Sequence, residues 1–203
     1  MAHIAILGLG NWGTAVARMW LLEGHKVKGW TIEQEVYESV VMDGINKKYL
    51  PDHPVDGLEA TMRIDEALDG VEIVVLAIPS SVILDVVDDV IPHLRPGHVL
   101  IDLAKGLAPG KRLISQAIHE KLNLAQKTNP LAVVTGPTIA PEAAGGVITT
   151  ALVASEDESV ARRLAETLTT QTFILHAASD PVGAELWGAF KNVIALTCGL
   201  VDG

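Results

Sequence analysis

The sequence predicts a doubly wound α/β fold with a mostly parallel sheet, and three observations carry that reading. Short apolar runs alternate with helical patterns, a glycine-rich turn joins the first such pair, and the composition is that of a packed globular chain. Of 203 residues, 49% are hydrophobic and 20% charged, and the mean hydropathy is +0.33. Such a chain buries a sizeable core and does not share the polar composition of disorder.

Residues 3–8 are apolar on both faces, as a strand inside a parallel sheet requires. A helix follows over Asn11–Glu23, with Ala15, Met19 and Leu22 on one stripe and Gly24 as its stop. The pattern repeats with a strand at Lys26–Trp30, a helix at Glu33–Met42 and a fully apolar strand at Val71–Ile78. Pro79-Ser80 turns the chain into a helix at 81–91, and Pro96-Gly97 returns it to a strand at His98–Leu103. A helix at Lys111–Leu122 and a strand at Leu131–Thr135 come next. Thr149–Ala154, a helix at Glu156–Leu168 and Thr172–Leu175 make a last β-α-β unit. Asp180-Pro181 then opens a long apolar helix over Val182–Leu200, Asp180 as N-cap and Pro181 as first residue. Two units are expected: residues 1–180, and residues 181–203 as the beginning of a second, helical domain cut short at Gly203. A helix apolar nearly all round must be covered, so residues 182–200 are expected to meet a helical partner or a second copy of the chain.

Charge and cysteine content exclude several classes of function. Against 15 Lys and Arg stand 25 Asp and Glu, a formal charge of -10, so the long-range field repels nucleic acid and anionic membranes. An anionic ligand must be captured by local chemistry. The single Cys198 excludes an internal disulfide framework and suits a reducing cytoplasm. The seven histidines never pair at helical spacing, and no metal site is expected. The apolar stretch 71–87 is broken by Glu72, Pro79 and Asp85, and no membrane insertion is expected.

Gly8-Leu9-Gly10-Asn11-Trp12-Gly13 is G-x-G-x-x-G between a buried strand and a helix, the context in which the pattern signals a Rossmann-like dinucleotide site. Gly8 allows the tight turn, Gly10 lets backbone approach a pyrophosphate, and Gly13 lets helix and strand close up. The phosphates would rest on free amides at the helix N-terminus. Twenty residues beyond Gly13, Glu33 stands where a carboxylate accepts from the adenosine ribose, which favours NAD over NADP; Thr31-Ile32 offers no cation for a 2'-phosphate. The competing reading of Glu33 is an N-terminal charge on the next helix. Lys105-Gly106 follows the strand ending at Leu103, at the carboxyl edge where open α/β sheets bind ligands. Gly136-Pro137-Thr138 turns at the same edge, with a hydroxyl able to donate to a phosphate. Lys191 is the one cation in the apolar terminal helix, beside Asn192 and the small residues Gly188 and Ala189; a desolvated lysine there suits general acid/base work, whereas a surface helix would let it snorkel.

These segments, together with Asn46, Tyr49-Leu50-Pro51, Ile78-Pro79-Ser80, Ala140 with Glu142, and Gly188-Ala-Phe-Lys-Asn-Val, resemble in order and spacing NAD(P)-dependent glycerol-3-phosphate dehydrogenase, over the whole chain. The resemblance implies hydride exchange between sn-glycerol 3-phosphate and dihydroxyacetone phosphate. It implies Lys191 as the proton acceptor, with Lys105, Gly136, Thr138 and Asn192 at the substrate. It also implies dinucleotide contacts from Asn11, Trp12, Tyr49, Pro79, Lys105 and Ala140. Three departures stand out. Members of the family continue into a helical domain that grips the substrate phosphate, so weak turnover is expected of the 203-residue chain. Ile32 replaces the arginine of many bacterial relatives, and Pro141 is unusual between Ala140 and Glu142. Two other readings stay open here: a stand-alone NAD-binding module, and a β-hydroxyacid dehydrogenase, against which Tyr49-Leu50-Pro51 and the adjacent Lys191-Asn192 speak.

Overall fold

The computed structural model describes residues 1–202. Its elements follow the expected alternation: β1 (His3–Leu7), α1 (Asn11–Leu22), β2 (Lys26–Trp30), α2 (Gln34–Asp43), β3 (Glu59–Thr61), α3 (Ile64–Leu68), β4 (Ile73–Leu76), α4 (Ile83–Val90) and β5 (Val99–Asp102). Then come β6 (Leu107–Ala108), β7 (Arg112–Leu113), α5 (Ile114–Leu124), β8 (Leu131–Thr135), α6 (Ala140–Ala144), β9 (Thr149–Ser155), α7 (Glu158–Leu168), β10 (Phe173–Ala178) and α8 (Pro181–Asp202). The expected helix at 111–122 begins only at Ile114. Lys111 adopts φ 59, and Arg112–Leu113 fold back antiparallel on Leu107–Ala108. The short elements β3 and α3 have no counterpart in the expected pattern, because three and five residues are too few to show a period.

Eight strands form one sheet in the order β10-β9-β8-β5-β4-β1-β2-β3. Six of them, from β3 to β8, run parallel, and the chain leaves β1 toward β2 and returns to β4 on the other side. That reversal of direction makes the crevice in which doubly wound sheets bind ligands. Alternate side chains of each strand feed two cores. Ile4, Ile6, Val75 and Ile101 pack with Val16 and Trp20 of α1 and Leu164 of α7. Ala5, Leu7, Val74 and Leu100 pack on the opposite face with Ile83 and Val87 of α4 and Ile118 of α5. The Trp20 indole N–H donates to Leu168 O at 3.0 Å, tying α1 to the end of α7.

The last unit departs from the parallel order. β9 runs antiparallel to β8, with Ala132 opposite Ser155 and Thr135 opposite Leu152, and β10 runs parallel to β9. β10 therefore ends at the edge where β8 begins, and α8 runs back along the sheet toward the carboxyl ends of β5 and β8. Ala184 packs on Val133 and Ala154. One turn later Gly188 lies so close to β8 that a Cβ there would stand 2.3 Å from Thr135 Oγ1.

A buried carboxylate fixes that docking. Glu185 is 4% exposed, and its Oε1 accepts the Ile114 N–H at 2.6 Å and the Ser115 N–H at 3.3 Å, while Ser115 Oγ donates to Oε2. The N-cap residue of α5, Leu113, offers no side-chain cap, so α8 supplies the acceptor and the negative charge that the α5 N-terminus requires. Glu185→Ala is expected to lower stability by about 2 to 4 kcal/mol, because two buried amides lose their acceptor, whereas Glu185→Gln keeps an acceptor and loses about half as much. Urea unfolding of both variants checks this ordering.

Candidate functional site

The glycine turn closes where β1 meets β4. Gly8 has φ +104, and a Cβ there would lie 2.5 Å from Ala77 O; a Cβ on Gly13 would lie 1.9 Å from Gly8 O. Both glycines are explained by packing alone. Gly10 is not, because a Cβ there meets no protein atom within 4 Å. Gly10 is the N-cap of α1 in an extended conformation with no side-chain cap, and no acid stands in the first turn. The amides at the start of α1 therefore open on a cleft of about 650 Å³. An uncapped helix N-terminus facing a cleft fits a pyrophosphate.

That cleft brings together Gly8, Gly10, Asn11, Trp12, Gly13, Glu33, Tyr49, Pro79 and Lys105 of the expected contacts. Ala140 lies outside its lining, at the start of α6, because α6 packs on α1: Ala140 and Trp12 flank the cluster of Ala15, Leu50 and Ala144. Asn46, fully buried, explains the Asn-x-x-Tyr spacing. Its Nδ2 donates to Leu9 O and to Thr14 Oγ1, each at 2.8 Å, and its Oδ1 accepts the Tyr49 N–H at 3.2 Å. The glycine turn and the Tyr49 segment are thereby held as one piece. Tyr49 Oη donates to Glu33 Oε1 at 2.8 Å, and the Lys48 ammonium pairs with Glu33 and Glu35. Lys48 and Tyr49 together hold the Glu33 carboxyl below its usual range, Lys48 more strongly. Glu33 occupies the N-cap position of α2 without a side-chain cap bond, so its carboxylate faces the cleft and not the helix.

A second cavity of about 540 Å³ lies along the inner side of α8 and is lined by Thr135, Gly136, His176, Gly188 and Lys191, among others. Lys105 lines the first cavity, and its Nζ donates to Thr138 Oγ1 at 3.3 Å, one residue beyond Pro137 of the second cavity's lining. Lys105 is exposed by area, yet protein atoms around its ammonium and the charge of Lys191 pull its pKa below the usual lysine range, the desolvation more strongly. Lys105, Thr138, Gly136 and Lys191 are thus placed at one edge of the sheet. The Asn192 side chain lies outside the described residues.

Two residues of this edge escaped the sequence reading. Asp102 closes β5, 2% exposed; its Oδ1 accepts the Ala104 N–H at 2.8 Å, and its Oδ2 has no partner. Burial and, less strongly, the nearby Glu185 charge push its pKa up to about 8, against the bond from Ala104. The other is Glu185. Each is a lone acid inside an apolar run, a signal as legible as the lone Lys191.

Residues 3–161 match the family model described as NAD-dependent glycerol-3-phosphate dehydrogenase N-terminus. The chain belongs to that family. It is 35% identical over 202 residues to the glycerol-3-phosphate dehydrogenase (NAD(P)+) of Syntrophotalea carbinolica, a match over 99% of this chain and 61% of that protein. With the enzyme of the same name from an Exiguobacterium species it shares 38% over 205 residues, 100% of this chain and 60% of the relative. The crystal structure of glycerol-3-phosphate dehydrogenase from Coxiella burnetii superposes with a TM-score of 0.88 at 33% identity, over 99% of this chain and 61% of that one. This chain of the glycerol-3-phosphate dehydrogenase family therefore spans about three fifths of the length of the relatives it matches. Among its described residues no single helix is long and apolar enough to cross a membrane.

The protonation of Asp102 gives a stability test. A carboxyl whose folded pKa is raised binds its proton more tightly folded than unfolded, so stability falls as pH rises from the unfolded value near 4 to about 8, then levels off. Asp102→Asn keeps the acceptor for Ala104 and removes the titration. It is expected to flatten the profile and to raise stability at pH 8 by about 1 to 3 kcal/mol, measured by denaturant unfolding across that range. An unchanged slope would show Asp102 to be ionised in the fold.

Proposed function

We propose that the chain binds NAD in the cleft under the glycine turn and carries the lysine pair for hydride exchange between sn-glycerol 3-phosphate and dihydroxyacetone phosphate. The observation that carries the reading is Gly10: a glycine that packing does not require, at an uncapped helix N-terminus, lining a cleft that ends at Lys105. In an acidic chain this supplies the local attraction a pyrophosphate needs. Glu33 would accept from the ribose hydroxyls, and Tyr49, Pro79 and Trp12 would wall the nucleotide. The bound nicotinamide supplies the hydride acceptor.

On this reading Lys191 takes the proton from the C2 hydroxyl as the hydride leaves C2, and returns it to the carbonyl oxygen in the reverse direction. Lys105, held by Thr138, faces the developing alkoxide with a second positive charge. Gly136 and Thr138 border the phosphorylated substrate. The relatives' names support the activity and their length qualifies it, since this chain covers 61% of the first of them. We take residues 1–180 as the nucleotide-binding unit and the exposed outer half of α8, with Leu196 70% and Leu200 83% exposed, as the face on which a further helical unit or a second copy rests. The free, exposed Cys198 suits a reducing compartment, and we place the protein in the cytoplasm.

Titration of the chain with NADH, followed by fluorescence, is expected to saturate in the micromolar range. Gly10→Val points a side chain into the cleft; it is expected to weaken NADH at least about tenfold with a stability change within about 1 kcal/mol. Adding dihydroxyacetone phosphate to the NADH complex should give slow nucleotide oxidation that Lys191→Met abolishes. Absence of saturable NADH binding overturns the reading.

A further inference from the structure

The adenosine end of the cleft contains an arrangement that the glycine turn does not explain. Where β2 ends, the cleft is lined by Trp30, Thr31, Ile32 and Glu33, and no cation is among these four. The Lys48 ammonium, outside this lining, pairs with Glu33 and Glu35 together. It also lies 5.5 Å from the centre of the Tyr49 ring. Two carboxylates against one ammonium leave this corner with a local sum of one negative charge. Glu33 spends one lone pair on Tyr49 and one on Lys48. A carboxylate has about four acceptor positions, so capacity remains for two further donors, the number that a ribose diol presents. A 2'-phosphate brings acceptors only, and meets repulsion there unless an ammonium is free to turn toward it.

We propose that Glu35, by holding the Lys48 ammonium, sets the preference of this cleft for a nucleotide with a free ribose diol over one carrying a 2'-phosphate. Glu35 does not line the cleft and acts through Lys48, so it is a positioning residue. With Glu35 removed, Lys48 has a single anionic partner and can pivot between Glu33 and a phosphate. With Lys48 removed, two unneutralised carboxylates remain and the phosphate is disfavoured further. The proposal rests on the cofactor reading above and specifies which form of the nucleotide is taken.

Trp12 and Trp30 both line the cleft, so quenching of intrinsic fluorescence reports nucleotide binding directly. The chain is titrated with NADH and with NADPH, alongside Glu35→Gln, Lys48→Ala and the double variant. The wild type is expected to bind NADH more tightly. Glu35→Gln should tighten NADPH about three- to fivefold, the size an exposed charge pair supports, with NADH moving less than about twofold. Lys48→Ala should weaken NADPH, and in that background Glu35→Gln should lose most of its effect. An unmoved ratio in Glu35→Gln overturns the proposal. So does a shift of equal size with and without Lys48, which would make Glu35 a mere charge, and so does a common loss for both nucleotides, which would make it a structural residue. In all three results NADH still binds the wild type, and the cofactor reading stands. If neither nucleotide binds the wild type, both fall together.

Discussion

The reversal of chain direction between β8 and β9 is the constraint on which the functional edge depends. Had β9 and β10 continued the parallel order, β10 would end at the same sheet edge as β5 and β8 and the following helix would run away from that edge. Because they run antiparallel to β8, α8 begins at the far edge and ends its docked portion at the carboxyl ends of β5 and β8. Ala184, Gly188 and Lys191 fall at i, i+4 and i+7, one face of a helix. The first two find the sheet, and the third reaches past its edge into the cavity. The placement of one ammonium is thus a consequence of strand order several elements earlier.

Electrostatics at this edge are local and run against the sign of the whole molecule. A chain with a formal charge of -10 presents to the cleft the uncapped start of α1 and the Lys105 ammonium, while the acids in and near it are tied to partners or pushed toward neutrality. Glu33 is held by Lys48 and Tyr49, Glu185 by the start of α5, and Asp102 is pushed toward its neutral form by burial. Charge close to a low-dielectric wall is felt strongly, and charge across the surface is screened within about 10 Å. An acidic protein can therefore offer a phosphate ester a favourable place.

Much of this was legible in the sequence, for identifiable reasons. Parallel strands buried on both faces read as continuous apolar runs, which is why β1, β4, β5 and β8 fall where expected. The glycine turn was legible because its spacing answers to steric contacts at Gly8 and Gly13 that no other residue permits. β3 and the β6–β7 hairpin were not, because elements of two or three residues carry no period and depend on partners distant in the chain. The direction of β9 was equally hidden, since strand orientation leaves no mark on apolar patterning. In the candidate site, Lys105 is legible from its place just after β5 and Lys191 as the one cation of an apolar helix. Ala140, a dinucleotide contact by resemblance, begins α6 and packs with Trp12 on one small cluster. The roles of Lys48 and Glu35 depend on a contact across 13 residues, which spacing alone cannot reveal.

The cap that Glu185 places on α5 has a consequence for how the family can vary. The loop carrying Lys105 ends at the start of α5, and Lys191 stands six residues beyond Glu185, so one carboxylate is the common datum for both ammonium groups. Lengthening the β6–β7 hairpin at its tip leaves that datum untouched, and insertions there are tolerable. A single residue inserted between Glu185 and Lys191 turns the lysine by about 100° about the helix axis, out of the cavity. The stretch from 185 to 191 is therefore a fixed length, and natural variation in loop size should collect on the hairpin side of the cap.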